Sequence, residues 1–221
     1  VHNISTTNPV TSRNDLMYDA KTNLLSTLNI LDFASQNGIK RVFFSSSGGT
    51  VYGNRNKESY SELDPPLPTI PYGIIKYAIE RYFEYYRETY GLDYVIFRYS
   101  NPYGPRQNLN NQQGVIPIFL HNILNNKPPC IWGNGNSIRD YIYVDDAIDA
   151  TIQVLKSNLN NDVFNVGSGC GTSLNQLIRK MGIVTKKPII PKYLPANKGS
   201  INKVVLDIKK ITKLTFWHPK T

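Results

Sequence analysis

Residues 43–53 read Phe-Phe-Ser-Ser-Ser-Gly-Gly-Thr-Val-Tyr-Gly, an apolar start that breaks into hydroxyls and glycines. A parallel strand covered on both faces reads as an apolar run, and in an open α/β sheet the ligand crevice lies beyond the carboxyl ends of the strands. The stretch therefore predicts a buried strand over 41–46, with serines where a ligand sits and glycines that let backbone approach it. A plain Ser/Gly-rich turn explains the segment as well in isolation, so its neighbours decide.

Upstream, residues 15–38 place Leu16, Leu24, Leu28, Leu31 and Ala34 at helical spacing and stop at Asn37-Gly38. Downstream, Tyr72 to Tyr90 predicts a second long helix closed by Gly91, followed by a strand over 93–98. Further on come a helix near 115–126, a strand at 130–132, a strand at 141–144, a helix capped by Asp145-Asp146 and a strand over 162–166. Alternating strands and helices argue a doubly wound parallel sheet, with the last 50 residues forming a smaller α/β tail.

With 221 residues and 40% hydrophobic content the chain can bury a substantial core. It lacks an apolar run long enough to span a membrane and any signal-peptide pattern, so a soluble, cytoplasmic protein is expected, with no membrane partner. Cys130 and Cys170 show no pairing or metal spacing, and three scattered histidines suggest no metal site. The net charge of +9 is all C-terminal: 11 basic residues stand against one acidic from Arg179 onward, and 14 against 15 before it. Those lysines read as a solvated face. No basic run is interleaved with aromatics, so nucleic acid is not an expected partner.

Tyr72 and Lys76 have the spacing that puts two side chains on one helix face, one turn apart. A lysine there pulls a tyrosine's pKa down from about 10 toward working pH. With 15 tyrosines in the chain, about one such pair is expected by chance, so its company matters.

That company is a series of blocks: the helix with Asn23, SSSGGTVYG (45–53), Pro71 to Lys76, FRYSNPYGPR (97–106), GVIPIF (114–119), GNGNSIRDYIYVDD (133–146) and FNVGSG (164–169). In this order the sequence resembles the extended short-chain dehydrogenase/reductase family, nearest its UDP-glucose and UDP-N-acetylglucosamine 4-epimerases. The resemblance implies a partial Rossmann-like sheet over 1–102 and a mainly nucleotide-sugar domain over 103–221, with 141–167 returning to the first.

It implies NAD as cofactor, a UDP-sugar as substrate, and transient oxidation at the sugar C4. Tyr72 would take the C4 hydroxyl proton and Lys76 would keep it acidic, with Ser47 or Thr50 standing in for the usual catalytic hydroxyl, whose place falls on Gly48. Asn23, Ser46 and Tyr99, with Tyr72 and Lys76, match the nicotinamide end. Asn101 and Arg139 match diphosphate contacts, and Ile131 and Trp132 the uridine side. Helices 15–37 and 72–90 match the pair through which family members form homodimers. Plain readings stand beside these: Tyr72 and Tyr99 as packing aromatics, Arg139 in a salt bridge to Asp140 or Asp146, Asn101 in a turn, Trp132 in the core.

Dehydratases of the family carry an Asp-Glu pair where Gly49 and Thr50 stand, which favours epimerisation over another nucleotide-sugar dehydratase or reductase. Val204 matches a position gating the sugar pocket, and Asn197-Lys198 stand where a diphosphate arginine is common. The Gly-rich turn after the first strand is not in the chain. The resemblance therefore also implies an N-terminally truncated chain that binds NAD poorly, and an inactive dimerising remnant is the competing expectation.

Overall fold

The computed structural model describes residues 1–55, 57–109, 113–196 and 201–221. Three strands form the first sheet: β1 (Arg41–Ser47), β2 (Asp93–Tyr99) and β6 (Asp162–Val166), all parallel in the order β1-β2-β6. Phe43 pairs with Val95, and Phe97 with Phe164. Because strand side chains alternate, neighbouring phenylalanines serve opposite faces. Phe43 joins Phe97, Ala150, Val154, Phe164 and Trp217 in one core. Phe44 joins Leu31, Ile79, Phe83 and Ile96 in the other. Each buried aromatic contributes about 1.5–3 kcal/mol of transfer free energy. The double winding thus follows from two adjacent apolar side chains, as the sequence pattern expects.

The first helical stretch is α1 (Leu16–Asp19), a wide π turn (Ala20–Leu25) and α2 (Ser26–Gln36). The expected single helix therefore carries one irregular turn. Within and beside it, the Thr22 hydroxyl donates to Tyr18 O at 2.7 Å and the Thr27 hydroxyl to Asn23 O at 2.6 Å, side-chain bonds that compete with the regular ladder. Beyond β1 comes α3 (Gly48–Val51), a single turn absent from the sequence reading. The long helix α4 (Pro71–Tyr90) starts with proline at its first position and ends on Gly91 at φ 70°, the left-handed stop that glycine makes cheap. His2 makes an isolated parallel bridge to Phe44, which sets the opening residues beside β1.

The rest of the chain builds on this frame with β3 (Asn101–Tyr103), α5 (Val115–Leu124), β4 (Cys130–Trp132), β5 (Ile138–Tyr143) and α6 (Val144–Lys156). After β6 follow β7 (Gly171–Ser173), α7 (Leu174–Thr185), β8 (Lys192–Leu194), β9 (Lys203–Val204) and α8 (Lys209–Thr215). A second sheet runs β3-β5-β7 with β9 also on β5, and β4 pairs with β8. β6 rejoins the first sheet and α6 packs into its core, while β5 pairs within the second sheet and sends only Ile142 into that core.

Asp145 and Asp146 are not the cap of α6. β5 runs straight into the helix, so the cap position falls on Tyr143 and both carboxylates lie in the first turn, where the helix dipole favours them. Asp146 accepts from the backbone N–H of Lys220 and Thr221, each at 3.0 Å, and ties down the chain end.

Candidate active site

A cavity of about 660 Å³ opens beyond the carboxyl ends of β1 and β2, between the two sheets. Ser46, Ser47 and Thr50 form its floor, Tyr72 and Lys76 its α4 wall. Tyr99, Asn101, Trp132 and Arg139 close the opposite side. The two glycines after the serines act differently: Gly49 lines the cavity as expected, with nothing closer than 3.9 Å to an added Cβ, and Gly48 does not. A Cβ on Gly48 would stand 2.6 Å from Leu206 Cδ1 and 3.0 Å from Arg98 O, so this glycine admits the protein's own packing rather than a ligand.

Tyr72 and Lys76 share one face of α4 as their spacing predicts, but the electrostatics depart from the expectation. Burial pushes the Tyr72 hydroxyl up to about 12; Ser5 opposes that and Asp19 adds to it. Lys76 is not among the groups that lower it: its Nζ sits 5.6 Å from the tyrosine ring centroid and donates to Ser45 O at 2.9 Å. Burial lowers Lys76 itself to about 8, against the pull of Asp19 and Glu80. Desolvation outweighs the pairing.

The three floor hydroxyls are not equivalent. Ser46 donates to the Glu80 carboxylate, so it presents only lone pairs to the cavity. Glu80 in turn accepts from Arg98 Nε at 3.1 Å and Nη2 at 2.6 Å, and Arg98 Nη1 donates to Tyr52 Oη at 3.0 Å. Thr50 is buried and its Oγ1 has no hydrogen-bond partner among the described residues. Ser100 Oγ, Gln107 Oε1 and Tyr141 Oη are buried on the same cavity and equally unpartnered. Such atoms are costly unless something else satisfies them. No spacing in the sequence marks these three, whereas Glu80 stands one helix turn after Lys76, on the same face.

Arg139 donates from Nη2 to Ile201 O at 2.6 Å and from Nη1 to Ile138 O at 2.8 Å. Burial lowers its pKa, and among the described residues it makes no ion pair. The salt-bridge alternative is not realised: Asp140 is taken by Ser168, Gly169 and Leu206, and Asp146 by the chain end. Asn101 donates to Asp140 O at 2.8 Å and keeps its place on the wall. The Tyr99 hydroxyl is engaged with Thr151 at 2.6 Å.

Two expected site residues do not line the cavity. Asn23 is buried with its amide committed, accepting from Thr6 N–H and donating to Thr7 Oγ1 and Asp19 Oδ1, so it holds the segment carrying Ser5. Ile131 is fully buried against Phe119 and Ile178, because β4 alternates and turns Trp132, 54% exposed, toward the cavity. Val204 is likewise in the core, with Val51, Tyr60 and Leu206, rather than at the cavity. Asn197 and Lys198 lie outside the described residues.

A parallel sheet whose strand ends meet a Tyr-Lys helix defines a dinucleotide-dependent class of enzyme fold. Residues 3–167 match the NAD dependent epimerase/dehydratase family, and the chain belongs to that family. It is 39% identical over 222 residues to a putative UDP-glucose 4-epimerase of Methanocaldococcus jannaschii, covering 100% of this chain and 71% of that one. The structure of UDP-glucose 4-epimerase from Thermotoga maritima with UDP-glucose superimposes with a TM-score of 0.95 at 38% identity, over 100% of this chain and 71% of that one. The UDP-glucose 4-epimerase of Thermus thermophilus in complex with NAD gives 0.92 at 32% identity, over 100% and 72%.

The residues present fit the nicotinamide and ribose end of NAD. The ammonium of Lys76 reaches the cavity beside Tyr72, Ser46 offers acceptor lone pairs, and the Thr50 side chain on the floor carries a hydroxyl with no hydrogen-bond partner among the described residues.

Proposed function

We propose that the protein is an NAD-dependent nucleotide-sugar 4-epimerase acting on a UDP-hexose or UDP-N-acetylhexosamine. The observation that carries this reading is the charge of the cavity. Its charged lining residues are Arg13, Lys76 and Arg139, all cationic, and no carboxylate lines it among the described residues. An anionic ligand suits such a wall, and Arg139 has a fixed fork of donors free of any acid, a match for a diphosphate. Trp132 offers its exposed face to the uracil.

With no carboxylate at hand, the acid-base group is the Tyr72 hydroxyl. Tyr72, as its phenolate, takes the proton of the sugar C4 hydroxyl on Oη and later returns it. Lys76 carries the compensating positive charge. Ser47 and Thr50 stand on the floor as the hydroxyls that would hold the reacting oxygen. When bound, NAD supplies the acceptor, and then the donor, of the hydride at C4. Gly49 and Thr50 leave no acid-base pair for eliminating water, which supports epimerisation over dehydration.

The same reading gives a homodimer through the two long helices. Met17, Leu25, Phe33, Tyr82 and Tyr85 stand exposed along them, an apolar load typical of interfaces. Free, exposed Cys130 and Cys170 suit a reducing, cytoplasmic setting, and among the described residues no helix is long and apolar enough to cross a membrane. The test is an epimerase assay with added NAD, reading interconversion of UDP-glucose and UDP-N-acetylglucosamine with their C4 epimers. Turnover of either sugar, lost in Tyr72→Phe, is expected; folded protein that binds UDP yet converts neither would overturn the reading.

A further inference from the structure

None of residues 179–193 lines the active-site cavity, yet they carry much of the chain's excess charge. The stretch holds Arg179, Lys180, Lys186, Lys187 and Lys192 and no carboxylate. None of these five pairs with an acid among the described residues, and Lys187 donates instead to Asn126 Oδ1 at 2.9 Å. Among the cations stand Ile183, Val184 and Ile190, 78, 79 and 84% exposed.

The local fold gathers these groups into one surface. Leu177, Ile178 and Met181 turn the inner face of α7 into the core, so helical spacing leaves Arg179, Lys180, Ile183 and Val184 on its outer face. Lys186 ends the helix at φ 54°, and the Lys187 N–H returns to Gly182 O at 3.2 Å. A Cβ on Gly182 would stand 3.2 Å from Lys187 O, so glycine lets the following loop lie back on the helix. Helix end and loop enclose a groove of about 430 Å³ lined by Ile178, Ile183 and Ile189 together with Arg179 and Lys187.

We propose that this face docks the protein on an anionic membrane surface, with the cations on lipid headgroups and the aliphatic tips among them. The sequence alone reads these lysines as a solvated face; the structure adds the protruding aliphatics and the groove. A second copy of the same face would set cations against cations. Protein interfaces are depleted in lysine, and four of the five cations here are lysines. An anionic bilayer surface attracts each lysine or arginine near it and takes separate aliphatic side chains to a depth of about 5–10 Å. α7 begins at Leu174 on the cavity wall and reaches this face about 16 Å farther along its axis, so the two surfaces are separate.

The test is co-sedimentation with vesicles of phosphatidylcholine alone and of phosphatidylcholine mixed equally with phosphatidylglycerol, and it needs neither NAD nor turnover. Binding is expected on the anionic vesicles only and should weaken as salt rises. Lys186→Gln with Lys187→Gln should lower partitioning by about 5-fold for each charge removed. Ile183→Ser with Val184→Ser, which leaves every charge in place, should lower it by about 10-fold. Lys209→Gln with Lys213→Gln removes two charges from α8, which packs on α6 and β6 instead, and should change it by less than about 2-fold.

Binding to neither vesicle, or to both alike, would overturn the proposal. An equal loss in the α8 variant would do the same, since overall charge and not this face would then be the cause. Self-association in ultracentrifugation that Ile183→Ser with Val184→Ser abolishes would assign the face to a second copy and overturn it too. Epimerase turnover should be the same in all three variants, so failure of docking and failure of the epimerase reading are read separately.

Discussion

Arg98 at the end of β2 and Arg139 in β5 both carry a guanidinium into the interior, and the chain treats them in opposite ways. Arg98 meets Glu80 through two donors and Tyr52 through a third, and the Tyr52 hydroxyl donates to Asn165 Oδ1 at 2.7 Å. The charge of Arg98 is thus answered by that of Glu80. Arg139 meets only backbone carbonyls, those of Ile138, Ile201 and Asn202, and faces a cavity with no acid among the described residues. A buried charge with its partner present organises a fold, while one without a partner marks where a ligand of the other sign belongs. The comparison divides the molecule into a paired region that should govern stability and an unpaired wall that should govern binding and chemistry.

The largest test of that division is Tyr72→Phe, which removes the one hydroxyl placed for acid-base work. Turnover should fall by about 10²–10⁴-fold with unfolding free energy nearly unchanged, read by the epimerase assay beside urea denaturation. Glu80→Ala probes the other side: it strands Arg98 in the interior and should cost about 3–5 kcal/mol in urea unfolding. If it cost under 1 kcal/mol, the paired region would not be what holds the sheet.

Lys76 belongs to both regions, and its pH dependence has a definite sign. Its pKa is about 8 folded against 10.5 for the free side chain, so between those values the unfolded chain binds more protons and stability rises with pH. That rise, about 3 kcal/mol from pH 8 to 10.5, should flatten in Lys76→Met when unfolding is followed across the range. The smallest effect is Arg139→Met. Having no acid to strand, it should leave stability within about 1 kcal/mol and weaken UDP by about 10–100-fold in calorimetry, the loss of charge-assisted hydrogen bonds. Equal weakening by a substitution at Arg98, in folded protein, would erase the distinction between the two arginines.

Much of the fold was legible because it rests on local rules. Phe43-Phe44 declared a strand buried on two faces, and Pro71 and Gly91 bracketed α4. The Tyr72-Lys76 spacing was legible for the same reason, since one helix turn sets it. What failed depended on distant partners. Asn23 turned from the cavity because Thr6, Thr7 and Asp19 claim its amide. Ile131 and Trp132 exchange inside for outside according to how β4 sits on α5 and α7, which no local pattern states. The lowering of Tyr72 was misjudged because burial, a property of the assembled fold, outweighs a lysine one turn away.

By itself, the sequence determined the strand and helix periods, the double winding around β1, the helix stops and the placing of tyrosine and lysine on one face, all set by side chains within a few residues of one another. Only the tertiary structure decided which floor hydroxyl is left without a partner and which arginine has no acid. Hydrogen-bond satisfaction and desolvation depend on every group brought within a few ångströms, and those groups arrive from opposite ends of the chain.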